Sequence, residues 1–465
     1  MVTIIRPTRK RRRPTTVPSA IAFVMLVALL ISVVQALPEG FVSEVVNPRT
    51  KAVTGVFAPN VRRKDHRPMM IVVSKQGRVR VLENPENFND ENDDGEDVYT
   101  NKEDDGSNVI LDLSPGEKDS NRICDNGERG LTSIAVHPDF LETRWVYLYY
   151  TRWREGCKED AVSGPQNVLV RYTMNATTLL LENEELLLEC GFLAGRVHNG
   201  GAMVFGTDGY LYLATGDGSN KASAQDRTNL HGSLLRLNDD GSVPDTNPYG
   251  GKGKGIPCGK SNGIVVAPAN ENENEIDADF FAVVNGEEND ADIYCSEIYS
   301  WGFRNPIRMA LNHHKSDKNK VLFSISDVGA QQFEELSWAG TDFQEKNYGW
   351  PFMEGPCVPN TIDDCPLSSS FDSNVVDPFH YYAHDSYENG GCVAGSAFVP
   401  EGVHWPEEYK YLFMDFIFLK IYNLVEDPDA ECRESCSPPT SRYINTTCKT
   451  HQTPHTHYYW FLILD

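Results

Sequence analysis

The chain is poor in positive charge for its length. Its 465 residues contain 42 Lys and Arg against 67 Asp and Glu, a formal net charge of -25 at pH 7. Because a surface that follows nucleic-acid phosphates must be basic, this balance argues against nucleic-acid binding. Helical periodicity is also scarce, which disfavours a helical protein. Hydrophobic residues nevertheless make up 40% of the chain, which is enough for a substantial core.

Cysteine occurs without any Cys-x-x-Cys pair, although the chain contains 11 cysteines. This spacing disfavours a zinc site and, in an oxidising compartment, favours disulfides. Cys357 and Cys365 are close enough in sequence to form a local bridge, and the odd total leaves one thiol without a partner in the chain. The remaining connectivity cannot be deduced from the sequence.

The sequence pattern at the N-terminus predicts that the protein is secreted. A basic stretch at residues 6–13 is followed by an apolar run at 20–34 and small residues before Leu37, the pattern of a secretory signal peptide over 1–36. An uncleaved signal anchor is the alternative, and only in that case would the protein contact a membrane. A secreted, extracellular chain would carry glycans at Asn175 and Asn445, which lie in Asn-x-Thr motifs.

Short β-branched and aromatic runs, closed by Gly, Asp, Asn or Pro, dominate the rest of the chain. Examples are residues 145–151, 210–215 and 411–424. This pattern predicts an all-β fold. Repeated Gly turns between strands favour blades around an axis, although composition alone leaves sandwich, barrel and propeller open.

One predicted hairpin carries a candidate acid–base pair. His198 precedes a strand, and Asp217 follows the next one. Because a two-strand hairpin returns its end to its beginning, we expect the carboxylate to meet the imidazole and fix its tautomer. The alternative is that His198 only caps a turn.

Two further segments place polar groups in strand-end loops. Arg304 and Asn305 precede Pro306, and a guanidinium beside an amide suits a carbonyl, carboxylate or quinone oxygen. The turn at Gly329 and Ala330, followed by Glu334 and Glu335, offers carbonyl and carboxylate oxygens that suit calcium.

Together these segments resemble the glucose/sorbosone dehydrogenase family, and within it the branch that contains hedgehog-interacting-protein-like proteins. The motifs that carry the resemblance are Gly127-Glu128-Arg129-Gly130-Leu131, His198-Asn-Gly-Gly, Gly216-Asp217-Gly218, Arg304-Asn-Pro, Asp327-Val-Gly and Asn347-Tyr-Gly-Trp-Pro. The resemblance implies a six-bladed β-propeller of the soluble quinoprotein glucose dehydrogenase type over residues 37–427, with an incomplete last blade. Residues 428–465 are expected to form an irregular, cysteine-containing tail.

The resemblance also implies roles for individual residues. His198 would be the general base, Asp217 its orienting partner, and Arg304 would contact the quinone or the substrate. Glu128, Asn305 and Lys420 would line the pyrroloquinoline quinone site. Gly329, Ala330, Glu334 and Glu335 would bind calcium.

Two functions remain open from the sequence. The first is a secreted, calcium-dependent quinoprotein that oxidises a sugar or polyol. The second is a non-catalytic extracellular propeller that binds a protein or glycan, which is favoured by the absence of Lys and Arg between Asn347 and Tyr409. Pyrroloquinoline quinone carries three carboxylates, and burying them with Lys420 as the one candidate cation would be costly.

Overall fold

A computed structural model describes residues 2–7, 41–47, 52–82, 108–114, 122–158, 164–251, 254–259, 294–355, 375–384, 391–399, 410–417, 420–426 and 441–446. Near the N-terminus, β1 (Val2–Pro7) pairs with β2 (Phe41–Asn47) in an antiparallel two-stranded sheet. Most of the predicted signal segment lies outside the described residues, as do Cys357 and Cys365. None of the helices in the described ranges is long and apolar enough to cross a membrane.

Five four-stranded antiparallel sheets follow in chain order and form the blades of a propeller. Blade 1 consists of β3 (Ala52–Pro59), β4 (Pro68–Ser74), β5 (Arg78–Leu82) and β6 (Val109–Asp112). Blade 2 consists of β7 (Leu131–Val136), β8 (Trp145–Arg152), β9 (Gln166–Met174) and β10 (Leu181–Phe192).

Blade 3 begins with β11 (Gly200–Phe205), β12 (Leu211–Thr215) and β13 (Ser233–Leu237). It is completed, after the short parallel pair β14 (Gly255–Ile256) and β15 (Tyr294–Cys295), by β16 (Ile298–Trp301). Blade 4 consists of β17 (Pro306–Leu311), β18 (Leu322–Asp327), β19 (Phe333–Gly340) and β20 (His380–Ala383). Blade 5 consists of β21 (Val393–Phe398), β22 (Tyr411–Asp415), β23 (Lys420–Glu426) and β24 (Ser441–Thr446).

Helices are short in the described part of the chain. A four-residue helix, α1 (Phe140–Thr143), connects β7 to β8. One-turn 3-10 segments lie at Glu155–Cys157, Lys221–Gln225 and Thr341–Phe343. The predicted all-β propeller is confirmed.

The blade count differs from the expectation. The sequence predicted six blades with an incomplete last one, whereas the described residues form five, each with four strands. The last described blade is complete, because β24, which lies in the tail that was expected to be irregular, pairs with β23 and supplies its outer strand.

Apolar layers between consecutive blades hold the ring together. One buried cluster joins blades 1 and 2 through residues such as Ile71 and Leu148, and the next joins blades 2 and 3 through Tyr149 and Leu213. Comparable clusters join blade 3 to blade 4 and blade 4 to blade 5. Burying apolar surface contributes about 25 cal/mol per Å². The first strand of each blade is therefore fixed near the axis. There each first strand lies next to that of the following blade, in the order β3, β7, β11, β17 and β21.

Disulfides form as the cysteine content predicts. Cys124 pairs with Cys157, and Cys258 pairs with Cys295. Cys190 and Cys392 are free thiols within the described part of the chain. The first bridge lies beside the loop that carries Glu128.

A buried histidine between blades 4 and 5 predicts an acid-sensitive fold. His380 is 5% exposed and packs 5.3 Å from the ring of Phe413. Burial lowers the pKa of His380 to about 4, below the usual value of about 6.5 in an unfolded chain. Between these values the unfolded chain binds more protons, so the contribution of neutral His380 is complete above pH 6.5 and is lost as the pH falls towards 4.

We therefore expect the His380→Phe variant to lose less stability than the parent chain between pH 6.5 and pH 4.5. The difference should approach about 2.5 kcal/mol at the acid end, at about 1.4 kcal/mol per pKa unit. Urea unfolding at several pH values measures it. Parallel stability curves for the two proteins would contradict this assignment.

Candidate active site

The candidate site lies where the innermost strands begin. His198 directly precedes β11, and Asp217 follows β12 in the same hairpin. The register pairs Gly200 with Thr215, so the two flanking loops lie next to each other. The local hairpin geometry therefore brings together the two residues that the sequence singles out.

His198 and Asp217 form a close pair. The Nδ1 atom of His198 lies 2.8 Å from Oδ1 of Asp217, with the imidazole 18% exposed and the carboxylate 1% exposed. Because an ionised carboxylate only accepts hydrogen bonds, Nδ1 carries the proton in the neutral ring. The lone pair is therefore on Nε2, which can accept a proton.

The backbone around His198 is held in an uncommon conformation. His198 has a φ of 59°, in the left-handed region that non-glycine residues rarely occupy. Gly216 makes this possible, because a Cβ at that position would lie 2.1 Å from the carbonyl oxygen of His198. The same carbonyl accepts a hydrogen bond from the N–H of Gly218. A residue larger than glycine at position 216 would displace the loop.

Asp217 is itself positioned by two further donors. The indole Nε1 of Trp350 donates to its Oδ2 at 2.9 Å, and the N–H of Ser219 donates to its Oδ1 at 2.9 Å. Trp350 belongs to the aromatic turn at residues 347–351, which from the sequence could be either a pocket wall or plain packing. Its hydrogen bond makes it part of the site.

Glu128 and Asn305 connect three blades. One oxygen of Glu128 accepts a hydrogen bond from the N–H of His198 at 2.7 Å and from Nδ2 of Asn305 at 3.1 Å. The Oδ1 of Asn305 accepts from the N–H of Gly200 at 3.0 Å. The structure therefore brings both predicted residues to His198, and both engage the loop that carries it.

Arg304 lies on the same face. Its Nη1 donates to the carbonyl of Val328 at 2.9 Å, and its guanidinium lies 5.5 Å from the ring of Trp350. Its Nε is buried and has no hydrogen-bond partner among the residues that the structure describes. A buried guanidinium donor without an acceptor suits an oxygen-bearing ligand.

Asp327 fixes the backbone of the Arg304 segment. Its two carboxylate oxygens accept hydrogen bonds from the N–H groups of Arg304 and Asn305, at 3.0 and 2.6 Å. Burial raises the pKa of Asp327 to about 7, and the nearby charge of Asp217 adds to the effect. The pair of N–H donors opposes that rise, since they favour the charged form.

The turn that was predicted to bind calcium directs backbone N–H groups at a buried carboxylate. Oε1 of Glu354 accepts hydrogen bonds from four consecutive backbone N–H groups, those of residues 330–333, at 2.7–3.2 Å. The Ala330 turn therefore directs its N–H groups at a carboxylate of its own chain. Glu354 is 2% exposed, and no sequence pattern identifies it because it lies 21 to 24 residues from its partners.

The two predicted carboxylates are also engaged. Glu334 is fully buried and accepts hydrogen bonds from Nε2 of His384 at 2.5 Å, from the N–H of Val393 at 2.8 Å and from the N–H of Gly329 at 3.3 Å. Burial lowers the pKa of His384, but the Glu334 carboxylate more than offsets this, so the pKa is raised overall.

Glu335 lies opposite Asp327 in the β18–β19 register, and its side chain accepts a hydrogen bond from the N–H of Gly355. Burial raises the pKa of Glu335, and repulsion from Asp327 adds to the effect. Within the described ranges, no group of three or more His, Cys, Asp or Glu side chains is arranged to hold a metal ion. The calcium assignment stays a prediction.

Lys420 is the lysine predicted for the site, and Lys75 is a second lysine, which the structure brings to the Glu128 loop. Lys420 begins β23 and pairs with Asp415 in the ladder, and its side chain lies outside the described residues. Lys75, which was not among the predicted residues, donates to the carbonyl of Gly127 beside Glu128. Partial burial lowers the pKa of Lys75, while Asp125 and Glu128 raise it. No spacing rule in the sequence marks this lysine, because only the packing of blade 1 against blade 2 brings it to the Glu128 loop.

Comparison with known proteins supports the resemblance to the glucose/sorbosone dehydrogenase family. Residues 64–258 match the sequence model of the glucose / sorbosone dehydrogenase family. The chain is 26% identical over 344 residues to the HIPL2 protein of Arabidopsis thaliana, a match that covers 64% of this chain and 44% of the relative. It is 26% identical over 228 residues to aldose sugar dehydrogenase YliI of Escherichia coli, covering 49% of this chain and 47% of that protein.

A third relative has a higher sequence identity over a shorter match. The human hedgehog-interacting protein is 32% identical over 140 residues, which cover 26% of this chain and 19% of that protein. The chain thus spans less than half the length of each of these curated relatives.

Solved structures support the fold. A crystal structure of glucose dehydrogenase superposes with a TM-score of 0.53 at 18% identity, over 84% of this chain and 88% of that one. The PQQ-bound aldose sugar dehydrogenase of Streptomyces coelicolor gives a TM-score of 0.50 at 19% identity, over 84% and 83%. The chain is therefore identified as a relative of the glucose/sorbosone dehydrogenases, with the family's domain at residues 64–258 on a β-propeller.

Proposed function

We propose that this protein is a secreted quinoprotein-type dehydrogenase that oxidises a carbinol carbon of a sugar or polyol. The observation that carries the proposal is the His198–Asp217 pair, held by Trp350 and Glu128 at the start of the innermost strands. Two disulfides support an oxidising compartment. The names of two relatives, aldose sugar dehydrogenase and quinoprotein glucose dehydrogenase, support the substrate class.

His198 would act as the general base. Its Nε2 would take the proton of the substrate hydroxyl, and the Asp217 carboxylate would stabilise the imidazolium that results. The tautomer is already the required one, because Nδ1 donates to Asp217 at 2.8 Å. Asn305 and Glu128 would position the histidine through its backbone rather than contact the reacting atoms.

The residues around His198 fit a flat, oxygen-bearing cofactor. Arg304 has a buried Nε without a partner among the described residues, and it lies beside the ring of Trp350. Arg304 would hold a carbonyl or carboxylate oxygen, and Lys75 would add positive charge near Glu128. Pyrroloquinoline quinone, when bound, would supply the hydride acceptor. Calcium bound at Gly329, Ala330, Glu334 and Glu335 stays a separate prediction.

Reconstitution tests the proposal. We expect the full chain, incubated with pyrroloquinoline quinone, to reduce an electron-accepting dye when aldoses or polyols are supplied, and quinone binding to quench the fluorescence of Trp350. Parallel samples with calcium and with a chelator test the metal separately. Absence of both dye reduction and quenching in every sample would overturn the proposal.

A second candidate function is a non-catalytic extracellular propeller that binds a protein or glycan. Two exposed apolar side chains next to the site favour it: Val197 is 37% exposed and Phe352 is 48% exposed. The human hedgehog-interacting protein, a relative named for a protein partner, is compatible with it. If reconstitution fails, Phe352→Ser tests this alternative, since it should weaken retention of an extracellular partner without changing the fold.

A further inference from the structure

A cavity lies in the propeller channel, at the end opposite the candidate active site. It encloses about 600 Å³ and is lined by the middles and ends of the inner strands of all five blades. His198, by contrast, lies where those strands begin. Apolar side chains make up most of its wall, among them Phe57, Ile134, Phe205 and Leu311.

Among the described residues that line this cavity none is acidic, although the chain carries 67 Asp and Glu against 42 Lys and Arg. Its ionisable residues are Arg308, His137 and His313. His137 accepts the N–H of Asp139 at Nδ1 and contacts Asp239 through Nε2 at 3.3 Å, so it is already paired. Desolvation lowers the pKa of His313, and the neighbouring His314 adds to the effect. Among the described residues of the wall, Arg308 is the one whose side chain stays charged at every ordinary pH.

Arg308 reaches across the channel from β17. Its Nη2 donates to the carbonyl of Val53 in β3 at 2.7 Å, and its Nη1 donates to the carbonyls of Ile307 and Thr132 at 2.5 and 3.4 Å. Its Nε is buried without a hydrogen-bond partner in the described part of the chain, and no carboxylate there pairs with the guanidinium. Burial alone lowers the pKa of Arg308 to about 10.

Arg308 is only partly exposed, so its charge is incompletely solvated, and this is costly unless an opposite charge accompanies it. Carbonyl dipoles compensate only part of that cost. The cavity therefore offers an apolar wall and one cation that lacks an anion. A bare hexose would leave the apolar wall without contacts, whereas an aliphatic chain would cover it.

We propose that this cavity binds an amphiphilic carboxylate, with its aliphatic chain along the inner strands and its carboxylate paired with Arg308. This site is separate from the His198 site, and the proposal does not depend on the protein's being a dehydrogenase. The carboxylate would supply the counter-ion that the chain's own acidic residues do not.

Isothermal titration of the full chain with octanoate, below its micelle concentration, tests the proposal. We expect one molecule to bind per chain, and 1-octanol and octyltrimethylammonium to bind at least about tenfold more weakly, because neither can form the charge-assisted contact with Arg308. No octanoate binding, or equal affinity for octanoate and octanol, would overturn it.

Two variants locate the bound molecule. Arg308→Gln should weaken octanoate binding by at least about tenfold and leave octanol binding unchanged. Arg308 also connects blades 1, 2 and 4, so its replacement could weaken binding by disturbing the fold. Thr54→Phe is therefore a second variant, which adds bulk to the cavity wall and leaves Arg308 in place. Thr178→Phe, at an exposed turn, is the matched control. Octanoate binding retained by Thr54→Phe would exclude this cavity.

Discussion

Replacing His198 with alanine is expected to lower the turnover number of the reconstituted protein by about 10²–10⁴-fold, the usual contribution of a general base. The loss should appear in kcat, because the imidazole acts on the proton that leaves in the transition state. Dye-reduction kinetics with the aldose that the parent chain oxidises fastest measures it. His198 lies in the loop before β11 and belongs to none of the buried apolar clusters between the blades, so we expect the variant to fold.

Two neighbouring variants should give graded effects. Asp217→Asn removes the carboxylate that fixes the tautomer and should cost nearly as much as the loss of His198, with an altered pH profile. Trp350→Phe removes only the indole N–H that donates to Asp217, so its effect on kcat should be smaller, at most about tenfold.

His66→Gln is the control, since His66 is exposed in the β3–β4 connection, away from the site. A His198→Ala protein with unchanged kcat would show that the histidine is not the base. A graded series in the opposite order, with Trp350→Phe more damaging than Asp217→Asn, would show that packing rather than the tautomer matters.

Replacing Glu354 with alanine should strongly destabilise the fold. Four backbone N–H groups, those of residues 330–333, would lose an acceptor that is itself 2% exposed; of these four residues Gln332 is buried and Gln331 is exposed. Each buried donor without a partner costs roughly 1–3 kcal/mol, and water entering the space would recover part of it, so we expect a loss of at least about 3 kcal/mol. Guanidinium unfolding measures it.

Glu354→Gln separates hydrogen bonding from charge. The glutamine carbonyl can still accept from the turn, so this variant should keep about half of the stability that Glu354→Ala loses. Glu142→Ala, at an exposed position in α1, is the control and should change the free energy of unfolding by less than about 0.5 kcal/mol. Glu354→Ala with the stability of that control would contradict the assigned role.

The hairpin pair was predictable from the sequence because its geometry is local. His198 and Asp217 are 19 residues apart, and the pairing of β11 with β12 alone returns one to the other. The strand pattern likewise predicted an all-β fold, since alternation and Gly turns are properties of short segments.

The outer strand of the last blade was harder to predict from the sequence than the hairpin pair. Nothing local distinguishes an outer strand such as β24 from an irregular tail, because an outer strand is defined by its pairing with β23 and not by its own alternation. Within the segment that was expected to be irregular, the structure has the fourth strand of blade 5 at Ser441–Thr446.

The all-β character, the excess of acidic residues and the His198–Asp217 pair follow from the sequence alone. The packing of whole blades was needed to bring Trp350 to Asp217 across 133 residues, Lys75 to the Gly127 carbonyl, and Arg308 to the strands β3 and β7. The difference arises from separation along the chain: a hairpin contact follows from strand register, whereas a contact between blades depends on how whole sheets pack around the axis. The acid-free cavity beside Arg308 likewise exists only because five inner strands meet there.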